Sequence, residues 1–361
     1  MNPAYVSGLG VWFPDTIRTN SAWPADFRAR SEGMSGTSDR SFVDIPVHTS
    51  DHAGAVSARF IATERSDPFL GAVQRHVADD AMSSREAEAL AGRAALADAG
   101  IRGEEVDTVI SWTMVPDRVT PSSANHVAHA IGARRAIAFG VDAACASALV
   151  QLQTAVALVA SGHSKIVLAT QSHLMLRAFP MSHPASPGLG DGASAFVVTR
   201  AEGPFRVGAI HGVTHGEHYL SVAFVRDGDA SDPPWYRAGG ESRLGSVDGE
   251  GARYLMKETV RMGVSTMEET AQAEGISPHR IDTLCAVQPR RWTSAAIAEC
   301  LGLDQDASVH TYESVAHLGG CGPVVNWHEA RRLGKLTSGS TLGIYAQGAG
   351  FVRMGAIVHC M

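Results

Sequence analysis

Several features are scarce in this chain, and each scarcity narrows what it is. No run of about 18 or more uninterrupted apolar residues occurs among its 361 residues, so no membrane-spanning helix is expected. The N-terminal MNPAYVSGLGVWFPD lacks a basic stretch followed by an apolar core and a small-residue cleavage site, so secretion is not expected. Basic residues are outnumbered: 30 Lys and Arg against 37 Asp and Glu leave a formal charge of −7. That balance excludes a nucleic-acid binder whose affinity comes from phosphate contacts. Cysteines number five (Cys145, Cys285, Cys300, Cys321, Cys360), and none forms a C-x-x-C pair. An odd, scattered set without metal spacing fits a cytoplasmic protein with mostly buried free thiols.

The rest of the composition, 45% hydrophobic and 19% charged, is that of a soluble globular protein. The length is too great for one small core and suits two domains or one duplicated domain.

Residues 1–20 read as a strand, a turn at Pro14-Asp15 and a return; residues 28–60 read as a polar surface excursion. Ser83 and Glu86 have capping-box spacing, and the helix they open should stop at Gly100. A strand over Val106–Trp112 and a short helix opened by Pro121-Ser122-Ser123 follow. Lys165–Thr170 is a buried strand. Gly190-Asp191-Gly192-Ala193 is a tight turn in which Asp191 is structural, and Ser194–Thr199 is the strand after it. A second half restarts near Phe205. Residues 226–252 are a loop or a dimer-facing insertion, and Ala252–Gly275 is a long helix.

An internal repeat is visible. Gly100-Ile101, four residues, then Val106-Asp107-Thr108 is matched by Gly275-Ile276, four residues, then Ile281-Asp282-Thr283. A helix precedes and an apolar run follows in both. The reading is a duplicated αβ unit in a layered α/β fold.

The chemistry centres on Phe139–Gly162, FGVDAACASALVQLQTAVALVASG, a short strand, a small-residue turn and an apolar helix. Cys145 at the helix start is either a small buried hydrophobe or a nucleophile. The flanking Ala143-Ala144 and Ala146-Ser147 leave room for a tight elbow, and the helix dipole favours a thiolate there. The segment with His211, His215 and His218 has helical metal spacing, but two glycines interrupt it, and no metal site is assigned.

DAACASAL, then an apolar helix, a strand and LGDGASAF, resembles the nucleophile region of β-ketoacyl-ACP synthase III enzymes of the thiolase superfamily. VSGLGVWFPDTIRTN, REAEALAGRAALADAGIRGEEVDTVI, TPSSANHVAHAIG and QGAGFVRMGAIVHC extend the likeness almost end to end. The resemblance implies a thiolase fold of two similar αβ halves in αβαβα layers, divided here as 1–203 and 204–361, and a homodimer. It implies an oxyanion hole from Cys145 and the turn at Ala349, with Gly350 adjacent. It places an acyl pocket at Leu174, Leu176, Phe179 and Met181, and a pantetheine or carrier entrance at Arg290 and Arg291.

The departures point further. The family supplies a histidine in His-Gln-Ala-Asn and an asparagine in Gly-Asn-Thr-Ser, which together stabilise the enolate of a decarboxylated malonyl donor. Aligned here, those positions fall on Val287 and His317. Losing one such donor costs about 10²–10³ in rate, whereas one histidine beside a cysteine suffices for acyl transfer. The chain therefore resembles the acyltransferase branch. The expected substrates are an acyl or aroyl thioester on a carrier protein or coenzyme A and a hydroxyl or amine acceptor such as a sugar or cyclitol, with no further cofactor. Glu313, ahead of His310, is the candidate to orient His317, and Cys321 is expected to pack. The alternatives are a decarboxylative synthase using malonyl-ACP and a non-catalytic ketosynthase partner subunit.

Overall fold

The computed structural model describes residues 2–27, 29–30, 49–64, 66–226 and 242–361. Ten strands make one sheet. The first part of the chain gives β1 (Tyr5–Trp12), β2 (Thr108–Thr113), β3 (Ile137–Gly140), β4 (Ile166–Leu174) and β5 (Asp191–Thr199). The second gives β6 (Phe205–Thr214), β7 (Thr283–Ala286), β8 (Ser308–Val309), β9 (Thr341–Gly348) and β10 (Val352–Cys360). Their order is β8-β7-β9-β10-β6-β1-β5-β4-β2-β3. From either outer edge inward, each set of five runs third, second, fourth, fifth, first. The parallel and antiparallel pairings also agree between the sets. The two sets join where Tyr5 pairs with Arg206 and Val6 with Phe205.

Seven helices matter here: α1 (His52–Glu64), α2 (Ser84–Ala99), α3 (Ser123–Ala130), α4 (Ser147–Ala160), α5 (Gly249–Glu274), α6 (Thr293–Cys300) and α7 (Gly322–Arg332). Helix α4 packs on β2, β4 and β5 of one set and on β9 and β10 of the other. Helix α7 likewise touches strands of both sets. Meanwhile α2 covers β1, β4 and β5, and α5 covers β6 and β10. The two sets of strands therefore flank the central helices, giving five layers: helix, strand set, helix, strand set, helix. A helix buried on two sides must be apolar nearly all round, which is how SALVQLQTAVALVA reads; Leu149, Leu152, Ala155 and Val159 are in the core.

The repeat has a local physical basis. Helices α2 and α5 stop at Gly100 and Gly275, in left-handed conformations with φ of 66° and 79°. The N–H of the next isoleucine closes back on each helix, Ile101 onto Leu96 and Ile276 onto Ala271. The Asp107 carboxylate accepts from Lys165 and Ile166 N–H at the start of β4, and Asp282 accepts from Thr341 N–H at the start of β9.

Four expectations change. The return strand Ile17–Thr19 pairs with Gln74–His76, not with β1. Within the expected excursion, residues 52–60 lie in helix α1, while 28 and 31–48 fall outside the described residues. Residues 191–193 already belong to β5, because Gly192 and Ala193 pair with His173 and Ser172 of β4. Of the expected 226–252 loop, 227–241 lie outside the described residues. Ser242–Gly245 pairs with Ala223–Arg226, and α5 starts at Gly249. Among the described residues no helix is long and apolar enough to cross a membrane.

Candidate active site

Cys145 sits in a single 3-10 turn, Ala144–Ala146, between β3 and α4. The turn is clamped at both ends. Ala143 N–H donates to Ser147 Oγ at 2.8 Å, and Asp142 Oδ1 accepts from Ala144 N–H at 2.9 Å and Trp112 Nε1–H at 2.7 Å. Gly348, at the end of β9, lies against this elbow. A Cβ there would stand 2.2 Å from the Ala143 carbonyl oxygen and 3.1 Å from Cys145 N, so only glycine lets the backbones approach.

His317 follows a one-turn helix, Tyr312–Val315. Its backbone is tied to the other half of the molecule: its N–H donates to Gly188 O at 2.9 Å, and its carbonyl accepts from Gly190 N–H at 3.1 Å. Its Nε2 is 3.6 Å from Cys145 Sγ, and its Nδ1 is 3.1 Å from Gln288 O. A carbonyl only accepts, so Nδ1 carries the proton and Nε2 presents a lone pair to the thiol. Gln288 is held by buried polar partners. Its Oε1 accepts from Thr311 N–H and Asn326 Nδ2–H, and its Nε2 donates to Ala316 O.

Burial raises the Cys145 thiol to about 12, and the Asp142 carboxylate adds to the rise. Burial lowers His317 to about 3, with His173 second among the causes. The pair therefore rests as neutral thiol and neutral imidazole. Desolvation thus works against the thiolate that the helix start favours.

A cavity of about 150 Å³ opens onto Cys145 and His317 and is lined mainly by apolar side chains. Of the four residues expected to line it, Phe179 does. Leu174 is in the core under α2, Leu176 packs against the cluster of Met175, Phe179 and Leu189, and the Met181 carbonyl accepts from Trp23 Nε1–H. Met175 and His173 line it instead. β4 ends at Leu174, where alternation sets His173 on the face opposite Leu174, and Met175 and Leu176 lie in the 3-10 turn Met175–Ala178 that follows. Ala349 and Val287 line the cavity. Gly350 turns the chain with φ 74°.

Other candidates are engaged elsewhere. Glu313 pairs with Arg291 at 2.5 Å on the surface, so it does not orient His317, whose Nδ1 already has Gln288 O. Arg290 is buried against the cavity and bonds Glu64 at 3.1 Å rather than standing at an entrance. Burial lowers His310, and Cys321 is buried with its Sγ 3.8 Å from Gly192 O. His211 pairs with Glu269, His218 with Asp248, and His215 stacks edge-on against Phe351. Asp191 accepts from Ala78 and Leu176 N–H.

Comparison with known proteins decides the family. Residues 271–360 match the 3-oxoacyl-(acyl-carrier-protein) synthase III C terminal, and residues 70–184 match the thiolase N-terminal domain. The β-ketoacyl-(acyl-carrier-protein) synthase III of Rhodospirillum rubrum is 30% identical over 295 residues, covering 80% of this chain and 88% of that one. The chain belongs to the β-ketoacyl-ACP synthase III family. Its fold is that of solved synthase III structures: the Thermus thermophilus enzyme superposes with a TM-score of 0.78 over 99% of each chain at 21% identity. The priming β-ketosynthase of the R1128 polyketide pathway gives 0.75 over 99% of this chain and 96% of that one, also at 21% identity. Within this synthase III fold, the layered architecture sets Cys145 from one half against His317 from the other.

Proposed function

We propose that this family member is an acyltransferase. It takes an acyl or aroyl group from a carrier-protein or coenzyme A thioester onto Cys145 and passes it to a hydroxyl or amine of a secondary-metabolite intermediate, such as a sugar or cyclitol. The observation that carries the reading is the contact of His317 Nδ1 with the Gln288 carbonyl at 3.1 Å. Gln288 O holds the proton on Nδ1, so Nε2 is a base facing the thiol. An enolate would need hydrogen-bond donors, and neither Val287 nor an unprotonated Nε2 is one.

In the first half-reaction the thiol proton moves to His317 Nε2 and Sγ bonds the acyl carbon. The donor's sulfur then leaves with that proton. The tetrahedral oxygen is assigned to the N–H groups of Cys145 and Ala349. The scheme uses no cofactor beyond the thioester itself. The homodimer belongs to the same proposal: β3 is the outermost strand and its Ile137 is 70% exposed, an edge suited to pairing.

A second reading, condensation of a starter acyl group with malonyl-ACP, is favoured by the name of the Rhodospirillum rubrum relative. A third, a non-catalytic partner subunit, has no use for the Cys145–His317 contact. The test is intact mass after incubation with acyl thioesters. Wild type gains the acyl mass and Cys145→Ala does not; equal uptake by both sinks the proposal. Cys145-dependent release of carbon dioxide from malonyl-ACP would establish the second reading instead.

A further inference from the structure

Strand β4 brings a second imidazole to the cavity. The rings of His173 and His317 meet edge to face, with centroids 5.8 Å apart and planes at 70°. Both line the cavity with Cys145. His173 Nδ1 is 2.8 Å from Gly190 O, so again a carbonyl fixes the proton on Nδ1 and leaves Nε2 as an acceptor. Gly190 also donates its N–H to His317 O, so one short segment braces both histidines.

No group among the described residues hydrogen-bonds His173 Nε2. The residue beside it is Gly319, where a Cβ would stand 2.5 Å from His173 Cδ2 and 3.1 Å from Nε2. Glycine at 319 leaves that edge uncovered. Because His173 lines the cavity, a ligand's O–H or N–H can donate to that lone pair. His173 is 2% exposed, and burial lowers it to about 4, so the lone pair is available throughout the physiological range. The other base, His317 Nε2, already faces Cys145 Sγ.

We propose that His173 is the base that binds and deprotonates the acceptor, taking a neutral hydroxyl or amine, while His317 serves the cysteine. The proposal rests on the acyl-transfer reading above. In this step a C–O or C–N bond forms to the acyl carbon and the C–S bond to Cys145 breaks. The acceptor's proton passes to His173 Nε2 and ends on the departing sulfur, which restores the thiol and two neutral imidazoles. A protonated ammonium has no lone pair to attack with and would enter a mainly apolar cavity at high cost, so the acceptor is uncharged.

The test separates the half-reactions. His173→Asn keeps an amide donor for Gly190 O and removes the Nε2 lone pair. Acetyl-, hexanoyl- and benzoyl-coenzyme A are offered to wild type, and the one that acylates it is used throughout. Loss of the acyl group is then followed by intact mass in water, in glycerol and in hydroxylamine, which needs little base assistance. The variant should acylate within about fivefold of wild type and lose its acyl group to water and glycerol at least tenfold more slowly, as expected for one general base. Its loss to hydroxylamine should slow less than threefold. Equal slowing with all three nucleophiles, or none with glycerol and water, overturns the proposal. His173→Gln, which also lacks a basic nitrogen, must behave the same way, and it replaces the Asn variant if that one does not fold. Failure of wild type to acylate would fell the acyl-transfer reading, and this one with it.

Discussion

Ala144 and Ala316 immediately precede Cys145 and His317, and both hold a positive φ, of 48° and 57°. Leu70, which lines the cavity, and Phe351, which follows the glycine-rich turn, are the other two non-glycine residues with positive φ among the described residues. Such strain persists where surrounding structure enforces it. Here it collects around one cavity and aims the two reacting side chains at each other.

Ala316→Gly should therefore cost little. At a relaxed buried site the exchange loses about 0.5–1 kcal/mol of backbone preference and about 0.8 kcal/mol for the methyl group. At 316 the relief of roughly 1–3 kcal/mol of strain offsets both. Ala155→Gly, in the middle of α4, has no such relief and should lose about 1–2 kcal/mol. Urea unfolding compares the two, and equal losses would mean that Ala316 is not strained. Acylation by the 316 variant should slow, because His317 loses its fixed backbone.

The rate of Cys145 acylation should be flat between pH 6 and 9. Burial holds the thiol near 12 and His317 near 3, so neither changes charge in that window. A thiolate–imidazolium pair would give a bell-shaped profile. Rapid-mixing measurements across this range check it, and a limb near the ordinary histidine value contradicts the neutral dyad.

Glu88 links folding to pH. It is fully buried and accepts hydrogen bonds from Ser123, Thr170 and Ser172. Burial nevertheless raises its carboxyl to about 8 from 4.5, and the three hydroxyls pull it back only in part. The folded state keeps a proton that the unfolded chain releases. This contribution is therefore complete below the unfolded value of 4.5 and is lost as pH rises through about 8. Glu88→Gln should match wild type in thermal unfolding at pH 5 and exceed it at pH 9. A variant no more stable at pH 9 would show that Glu88 ionises freely in the fold.

The features that were legible in the sequence are those encoded locally. Gly100 and Gly275 end helices, Asp107 and Asp282 recur at the same spacing in the two copies of the repeat, and α4 reads as an apolar helix. Cys145 announced itself by its small neighbours, and His317 by its place in a family motif. What stayed hidden depends on pairings distant in sequence. Glu313 turns to Arg291, Arg290 to Glu64, and His317 to the carbonyl of Gln288. His173 and Met175 alternate in sequence with Leu174 and Leu176, and which of them reach the cavity is set by where β4 ends and the 3-10 turn begins.

Val287→His tests why the site favours one chemistry over another. Val287 lines the cavity, and its N–H donates to Tyr345 O at 2.7 Å, so the backbone is anchored for any side chain. An imidazole there can present an N–H toward Cys145, the donor that the decarboxylative reaction lacks. A single well-placed donor is worth about 10²–10³ in rate, so release of carbon dioxide from malonyl-ACP should rise at least tenfold over wild type. Fitting the larger ring should cost about 1–3 kcal/mol of stability, read by urea unfolding. Transfer to a hydroxyl acceptor should fall, because the new side chain occupies part of the cavity. If wild type already releases carbon dioxide as fast as the variant, the missing donor does not limit the reaction, and condensation rather than transfer to oxygen or nitrogen is what the Cys145–His317 pair performs.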